Sequence, residues 1–331
     1  MSSLWHEFLL SDVFQGFLNV RSVLYVEALF IPPAFTLHRL YKTNRKTTCF
    51  RYACICLLTI ILSFGTSGSL NLVDRLSFYV YDPAIHAVEA STFLAVPRLI
   101  ESLHRISQFF DGFFSMIYGS LLLLVIIASC SEVLYARISL KNNLLIRFAL
   151  GGLLSIPLYI AVPAVGPFYY HMTNNIFKIP HFYPVHAYST PFVEGIYRNS
   201  MPSLHAAWVI LCLLALRQSP VWHRLLGVLY VTVTFIFTIG IGYHYLLDWV
   251  VALPLVLFLR GVTSDYPLKT IRLVAILCGA GNLLIWIGVL RHLEVFISIP
   301  VFLDALVSLT ILIPIALELR LTRQEKALAR P

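Results

Sequence analysis

The sequence is poor in charged side chains: Asp, Glu, Lys and Arg make up 12% of its 331 residues, whereas hydrophobic residues make up 59%. A soluble domain carries roughly 25% charged residues, so this composition excludes an ordinary soluble protein. Alternation of period two, the signature of strands, is also absent. The chain has instead repeated apolar runs of about 20 residues, the length of helix that spans a bilayer. It therefore predicts an all-α polytopic membrane helix bundle.

Features of secreted and metal-binding chains are missing as well. Residues 1–16 lack the basic segment and cleavage site of a signal peptide, so we expect the first apolar run to be retained as a span. The six cysteines lie in apolar runs or beside the basic loop before Arg51. This distribution speaks against a disulfide framework, and Cys54 and Cys56 are too close together and too isolated for a zinc site.

The apolar runs define nine candidate spans: 18–38, 50–70, 112–136, 146–163, 201–217, 222–242, 244–260, 270–290 and 297–319. When the connecting segments are assigned alternately to two sides, most of the 24 basic residues fall on one side. The positive-inside rule then places the amino terminus outside and the carboxyl terminus in the cytoplasm. The net charge of +8 is therefore a topology signal, and we predict no nucleic-acid partner.

Two long segments, 71–111 and 164–200, are predicted to lie outside. In the first, apolar residues recur at helical spacing after Pro97, which suits the first turn of a helix. This pattern predicts an amphipathic helix at the membrane surface, with an ordinary solvated connector as the alternative. The second segment is rich in aromatic residues and proline, and we interpret it as a lid over a functional site.

Two short polar stretches lie at the ends of predicted spans. Ionisable groups there cost free energy because they are close to the hydrocarbon core, so by default they indicate function. One stretch, 198–207, contains Arg198 and His205, and the other, 242–248, contains His244 and Asp248. The predicted topology puts both stretches at the same depth on the outer side. Two imidazoles, a carboxylate and an arginine in that setting indicate a site for phosphoryl chemistry.

The spacing of these residues suggests how they work together. His244 and Asp248 are four apart, so on a helix they would share one face, and the carboxylate would accept a hydrogen bond from the N–H of one ring nitrogen. The other ring nitrogen is then a nucleophile. His205 follows Ser200, a predicted N-cap, and Pro202, placed in the first turn of the next helix. The N–H groups at such a helix start favour a phosphate.

These strings carry a resemblance to a known family. Residues 201–205, MPSLH, and 243–248, YHYLLD, resemble the paired motifs of the type 2 phosphatidic acid phosphatase superfamily, most closely its inositol phosphorylceramide synthase branch and bacterial relatives. The likeness covers about residues 110–260 and, with the preceding span, implies a six-span core. It implies that His244 forms a phosphohistidine, that Asp248 supports it, and that His205 is the acid and then the base. It implies no metal or other cofactor.

The sequence departs from the phosphatase branch of that superfamily. The lysine and Arg-Pro of its first motif are not found before Gly166, and Phe237 and Thr238 stand where it has Ser-Arg. The phosphate clamp must then come from elsewhere. Arg198 is the best candidate, and Lys178 is a weaker one.

Two further groups complete the predicted site. Ser203 is either a helix cap or a hydrogen-bond donor to phosphate. The run 166–169, GPFY, resembles the proline–aromatic segment of the transferase branch, so Pro167 and Tyr169, with Tyr243 of the second motif, are candidate lid residues that contact substrate. These departures favour phosphotransfer from one lipid to another alcohol.

We therefore predict an integral membrane phosphotransferase that moves a phospho-headgroup from a phospholipid or polyprenyl phosphate to a lipid or sugar alcohol. Hydrolysis to free phosphate by the same residues is the alternative. Two other classes stay open: a metal-dependent intramembrane hydrolase, in which two histidines and a carboxylate hold zinc, and a lipid transporter. Stoichiometric zinc would indicate the former, and uptake without product formation the latter.

The predicted organisation has three parts. Residues 1–49 hold the first span and a basic cytoplasmic loop, 50–260 form the catalytic core with both outside segments, and 261–331 add two spans and a basic tail. These last spans either pack against the core or form a homodimer face. The site faces the extracytoplasmic or luminal side of a bacterial inner membrane or a secretory-pathway membrane.

Overall fold

The computed structural model describes residues 32–43, 45–76, 79–136, 142–174, 190–191, 198–264 and 269–328. Most of the first predicted span, 18–38, and the candidate Lys178 lie outside these residues. The described chain is almost entirely helical. Its only β-structure is one antiparallel pair, β1 (Tyr79–Val80) with β2 (Thr190–Pro191), in which Tyr79 faces Pro191.

The helices follow one another with short connections. In chain order they are α1 (32–42), α2 (Lys46–Leu76), α3 (Asp82–Ser91), α4 (Pro97–Phe109), α5 (Asp111–Gly119), α6 (Leu121–Ser131) continued by a π-helical turn (Glu132–Ala136), α7 (Leu144–Ala161), α8 (Pro167–Asn174), α9 (Leu204–Leu216), α10 (Val221–Gly240), α11 (Leu246–Thr263), α12 (Lys269–Arg291), α13 (Leu293–Phe296) and α14 (Pro300–Leu328).

The helix lengths confirm a polytopic membrane fold. Within the described chain, α7, α10, α11, α12 and α14 are long and apolar enough to cross a membrane, and α5 with α6, bent by 49°, form a sixth candidate span. Helix α2 contains the predicted span 50–70. One prediction needs correction: α9, predicted as a span over 201–217, has only 13 residues. At 1.5 Å per residue it is about 20 Å long, too short to cross a bilayer core of about 30 Å.

Helix α11 is the centre of the bundle. Its apolar window is 78% buried, against 33% for α12 and for α14, so the latter two are the peripheral helices. It packs against α7, α9, α12 and α14. The two terminal helices therefore pack against the core, and a homodimer face stays a prediction. Arg260 of α11 and Arg217 bind Glu318 of α14 through distances of 3.1 and 3.3 Å.

The predicted amphipathic helix is α4, and Pro97 lies in its first turn as expected. It packs against the end of α10. The Ser107 hydroxyl donates to the carbonyl of Ile236 at 2.9 Å, and the His104 ring donates from Nδ1 to the carbonyl of Gly240 at 2.7 Å. Leu103 is buried, whereas Leu99 stays 44% exposed. A position of α4 at the membrane surface stays a prediction.

Gly240 makes this packing possible, which can be tested. A Cβ atom at Gly240 would overlap the Ser107 hydroxyl and the backbone carbonyl of Leu103. We expect Gly240→Ala to push α4 off α10 and to cost about 1–3 kcal/mol, the usual cost of overpacking. The measurement is the Tm of the detergent-purified protein. Gly281→Ala in α12 is the matched control, because no atom lies within 4 Å of its Cβ position.

The control should leave the Tm unchanged or slightly raised, since alanine is the better helix former. Equal Tm values for the two variants would contradict the close approach of α4 to α10.

Candidate active site

His244 lies in the connection between α10 and α11, and Asp248 lies in the first turn of α11. His244 is buried, and its Nδ1 atom is 3.1 Å from Oδ2 of Asp248. The predicted contact therefore exists, but the predicted geometry was wrong: the two residues do not share a helix face, because α11 begins only at Leu246. Asp248 instead folds back over the helix start and also accepts the N–H of Tyr245 at 2.9 Å.

Ser200 joins this pair from the segment before α9. Its hydroxyl donates to Oδ2 of Asp248 and lies 3.3 Å from Nδ1 of His244. Ser200 was predicted to cap α9, and this was wrong. Ser203 is the cap, because its hydroxyl accepts the N–H of Ala206 at 3.2 Å and α9 begins one residue after it. Ser200 is thus a site residue that the sequence analysis missed.

His205 lies in the first turn of α9 and faces His244. The centroids of the two imidazole rings are 6.4 Å apart. Tyr118 of α5 holds His205 in two ways: its hydroxyl is 3.0 Å from Nδ1, and its ring stacks on the imidazole with a centroid distance of 4.2 Å. The structure therefore brings the two predicted histidines to one place, and it adds Tyr118, which no motif indicated.

Arg198 lies two residues before Ser200 and is almost completely buried, with 1% of its surface exposed. The backbone here is fixed from two sides. The N–H of Ser200 donates to the carbonyl of Ala164 at 2.8 Å, and the N–H of Ser203 donates to the carbonyl of Asp248 at 3.3 Å. A buried guanidinium stays charged, and its place two residues before Ser200 keeps Arg198 an anion-binding candidate.

The start of the predicted lid touches the connection that carries His244. The N–H of Phe168 donates to the carbonyl of Gly242 at 2.7 Å, and the rings of Tyr169 and Tyr243 stack at 5.8 Å with an angle of 5°. Gly166 has φ of +89°, and a Cβ there would overlap the carbonyl of Tyr243, so only glycine allows this approach. Pro167 opens α8 directly after it. Most of the remaining lid lies outside the described residues.

Two buried acids of α3 support the site from behind. Asp82 accepts the N–H groups of Val165 and Gly166, at 3.0 and 2.8 Å, and the hydroxyl of Tyr245 at 3.1 Å. Burial raises its pKa to about 7. The sequence analysis placed α3 in an outside segment and missed this role. The seven-residue spacing from Asp82 to the next buried acid, Glu89, which puts both on one helix face, was the available signal.

Glu89 acts on the first turn of α11. Its Oε1 atom accepts the N–H of Leu247 at 2.8 Å, and burial raises its pKa to about 8. Together α3 and Asp248 satisfy N–H groups that the start of α11 leaves without intrahelical partners. The position of His244 is therefore determined from both sides of the helix start. Among the described residues, no three His, Cys, Asp or Glu side chains are placed to hold a metal ion.

These features define a membrane helix bundle with paired imidazoles and a buried carboxylate at the starts of two helices. A model of the PAP2 superfamily matches residues 83–261. Because the match covers more than half of the 331 residues, the chain belongs to the PAP2 superfamily. The predicted resemblance is confirmed at this level, and the inositol phosphorylceramide synthase branch stays a prediction. Neither a curated protein nor a solved structure gave a match.

Members of this superfamily are generally phosphatases or phosphotransferases. Membership supports an activity on lipid-related phosphates in general.

The support from α3 can be tested without measuring activity. Asp82→Asn replaces one acceptor oxygen by an NH₂ group, which would face the N–H of Val165 or Gly166. We expect a cost of about 1–3 kcal/mol, the penalty of a buried unsatisfied donor, and a lower Tm. Asp304→Asn is the matched control, since Asp304 accepts a single N–H, that of Phe93 at 2.9 Å, and asparagine keeps one oxygen. Similar Tm values for both variants would contradict the proposed support.

Proposed function

We propose that the protein is a membrane lipid phosphotransferase in which His244 is the nucleophile. The observation that carries this proposal is the arrangement of three side chains: the His205 and His244 rings 6.4 Å apart, with Asp248 on Nδ1 of His244. A hydrogen bond from Nδ1–H to a carboxylate leaves Nε2 with its lone pair, ready to attack. The gap between the rings suits one phosphoryl group.

The reaction proceeds by two displacements. In the first, Nε2 of His244 attacks the phosphorus atom, the bond to the leaving oxygen breaks, and His205 gives its proton to that oxygen. Asp248 stabilises the positive charge that develops on the phosphorylated imidazole. In the second, His205 takes the proton of the acceptor hydroxyl, the acceptor oxygen attacks phosphorus, and the phosphorus–nitrogen bond breaks. Atoms and protons balance, and the His205 proton is restored.

Tyr118 suits His205 for this double role. Its hydroxyl occupies Nδ1 at 3.0 Å, so Nε2 is the atom that exchanges protons with the leaving and attacking oxygens. The stacked ring also limits rotation of the imidazole. Tyr118 is therefore a positioning residue in this proposal, since it acts through His205.

The phosphate is bound by groups near the start of α9. Free N–H groups in the first turn of a helix favour anions, and α9 begins beside His205. Arg198 supplies the positive charge, because it is buried and lies two residues before Ser200. Ser203 accepts the N–H of Ala206 and keeps its own hydroxyl proton for a phosphate oxygen. Lys178 stays a second candidate cation.

Transfer to an alcohol is favoured over hydrolysis by the surroundings of His244. Phe237 packs against Tyr118 and Tyr243, with centroid distances of 5.4 and 5.8 Å. The Thr238 hydroxyl donates to the carbonyl of Thr234 and accepts the Trp249 ring N–H at 3.1 Å. Its proton is therefore used within the protein. Aromatic walls exclude water, which slows hydrolysis of a reactive intermediate. A lipid phosphate phosphatase with the same residues is the second candidate.

We also propose that the site faces the extracytoplasmic or luminal side, with the amino terminus outside and the carboxyl terminus in the cytoplasm. Two arginines support this orientation. Arg147 lies near the start of α7 and Arg260 lies in the last turn of α11, so both are next to connecting segments that are basic in sequence, and Arg260 is at the opposite end of α11 from His244. Both are buried and paired, with Glu132 at 2.8 Å and Glu318 at 3.1 Å.

The nucleophile can be identified by trapping the phosphoenzyme. We expect the wild type to form an acid-labile, base-stable phosphoprotein with labelled phospholipid, and His244→Ala to lose it together with roughly 1000-fold or more of the turnover. His223→Ala is the control, because His223 lies in the first turn of α10, at the other end of that helix from His244, and its Nδ1 atom is 3.0 Å from the Ser131 hydroxyl. A phosphoenzyme in His244→Ala, or activity abolished by chelators, would refute the proposal.

Transfer and hydrolysis are separated by their products. The purified protein is given labelled phospholipid in detergent, with and without a lipid alcohol such as diacylglycerol, and the products are resolved by chromatography. We expect the label to appear on the added alcohol and free phosphate to be a minor product. Free phosphate that is released at the same rate with and without the alcohol, and is the only product, would establish the phosphatase instead.

A further inference from the structure

A cavity of about 590 Å³ lies beside His244, between α3, α4, the start of α8 and residues 239–246. Its volume falls within the range of small-molecule sites, roughly 300–1,000 Å³, and is far larger than one phosphate group needs. His244 contributes to its lining, whereas His205, Arg198 and Ser203 do not. The cavity is therefore distinct from the phosphate-binding region proposed above, although the two meet at the nucleophile.

The lining is chemically selective. Most of it is apolar, including Ile100, Phe168 and Leu246. Its polar side chains come from two glutamates, three histidines counting His244, and Tyr245, whose hydroxyl donates to Asp82. No lysine or arginine belongs to the lining among the residues that the structure describes. A phosphate or another anion would find no fixed positive charge here. An uncharged group attached to an apolar body fits.

The polar side chains offer mainly hydrogen-bond acceptors. His104 donates from Nδ1 to the Gly240 carbonyl, so Nε2 is the ring nitrogen left to accept a hydrogen bond from a ligand. Glu101, whose Oε1 pairs with Arg105 at 2.6 Å, and Glu89, whose Oε1 accepts the N–H of Leu247, each add a second carboxyl oxygen on neighbouring walls. Because the pKa of Glu89 is raised to about 8, that buried group adds little negative charge at neutral pH. A ligand that carries hydroxyl donors beside an apolar chain complements this set.

We propose that the cavity binds the uncharged, hydroxyl-bearing body of the lipid alcohol acceptor. Its apolar chain packs against Ile100 and Phe168, and a second hydroxyl donates to His104. His205, the proposed base, does not line the cavity. The reacting hydroxyl therefore lies outside the cavity, on the side of His244 that faces His205. The role as acceptor site rests on the proposed phosphotransfer, but binding to the cavity does not require turnover.

Binding is tested by photo-crosslinking with a diazirine analogue of monoacylglycerol, which has two hydroxyls. We expect labelled peptides from residues 97–104 and 239–246, stronger competition by monoacylglycerol than by hexadecanol, which has one hydroxyl, and weak competition by anionic phosphatidic acid. Ile100→Trp fills the cavity and should reduce labelling about tenfold, which corresponds to a loss of about 1.4 kcal/mol in binding. Leu99→Trp is the matched control, because Leu99 is its neighbour on α4 and does not line the cavity.

The elution volume in gel filtration and the Tm report whether both variants fold. If Ile100→Trp misfolds, His104→Phe replaces it, with the expected result that monoacylglycerol loses its advantage over hexadecanol. Labelling outside the two peptides, or equal competition by phosphatidic acid, would overturn the assignment.

Turnover separates this assignment from the proposed function. Labelling as expected without any transfer activity would leave the cavity site standing and refute the phosphotransferase. We expect the acceptor KM to rise in Ile100→Trp. Transfer activity with an unchanged acceptor KM in this variant would leave the phosphotransferase standing and refute the cavity as the acceptor site.

Discussion

The architecture of the site depends on one carboxylate. Oδ2 of Asp248 binds three groups from two segments: the imidazole of His244, the hydroxyl of Ser200 and the N–H of Tyr245. Asp248 is fully buried, where an ion without partners would be costly. Its place in the first turn of α11 reduces this cost, because the N-terminal end of a helix favours negative charge. Asp248 thus orders His244, the proposed nucleophile, and ties the segment before α9 to the central helix.

The same helix start is held from the opposite side by α3. Asp82 binds residues 165 and 166 at the start of the predicted lid and Tyr245 at the start of α11, so one side chain connects the lid to the catalytic segment. Glu89 binds the next turn. A shift of α3 would therefore displace the start of the predicted lid and His244 together. The support thus comes from α3, and the proposed chemistry comes from the later motifs.

The sequence predicted those features that follow from local rules. Hydropathy and length gave six of the predicted spans, those of α5 with α6, α7, α10, α11, α12 and α14. Pro97 gave the start of α4, and the positions of His205 and His244 at the outer ends of two predicted spans gave their proximity. It failed where a tertiary contact competes with a local one. Ser200 and Ser203 are both good N-caps by type, and the choice was decided by Asp248, 48 residues away from Ser200.

The division of the site around His244 has a consequence for how a two-substrate reaction would run. On the proposed assignments, the phosphate lies between His244 and His205, near Arg198, while the neutral acceptor occupies a cavity without fixed positive charge. Charge then sorts the substrates: the anionic donor is held where a guanidinium is buried, and the uncharged alcohol is held in a cavity whose described lining has no lysine or arginine. An anionic donor molecule gains no ion pair from that lining, so the sorting disfavours a second donor in the acceptor cavity.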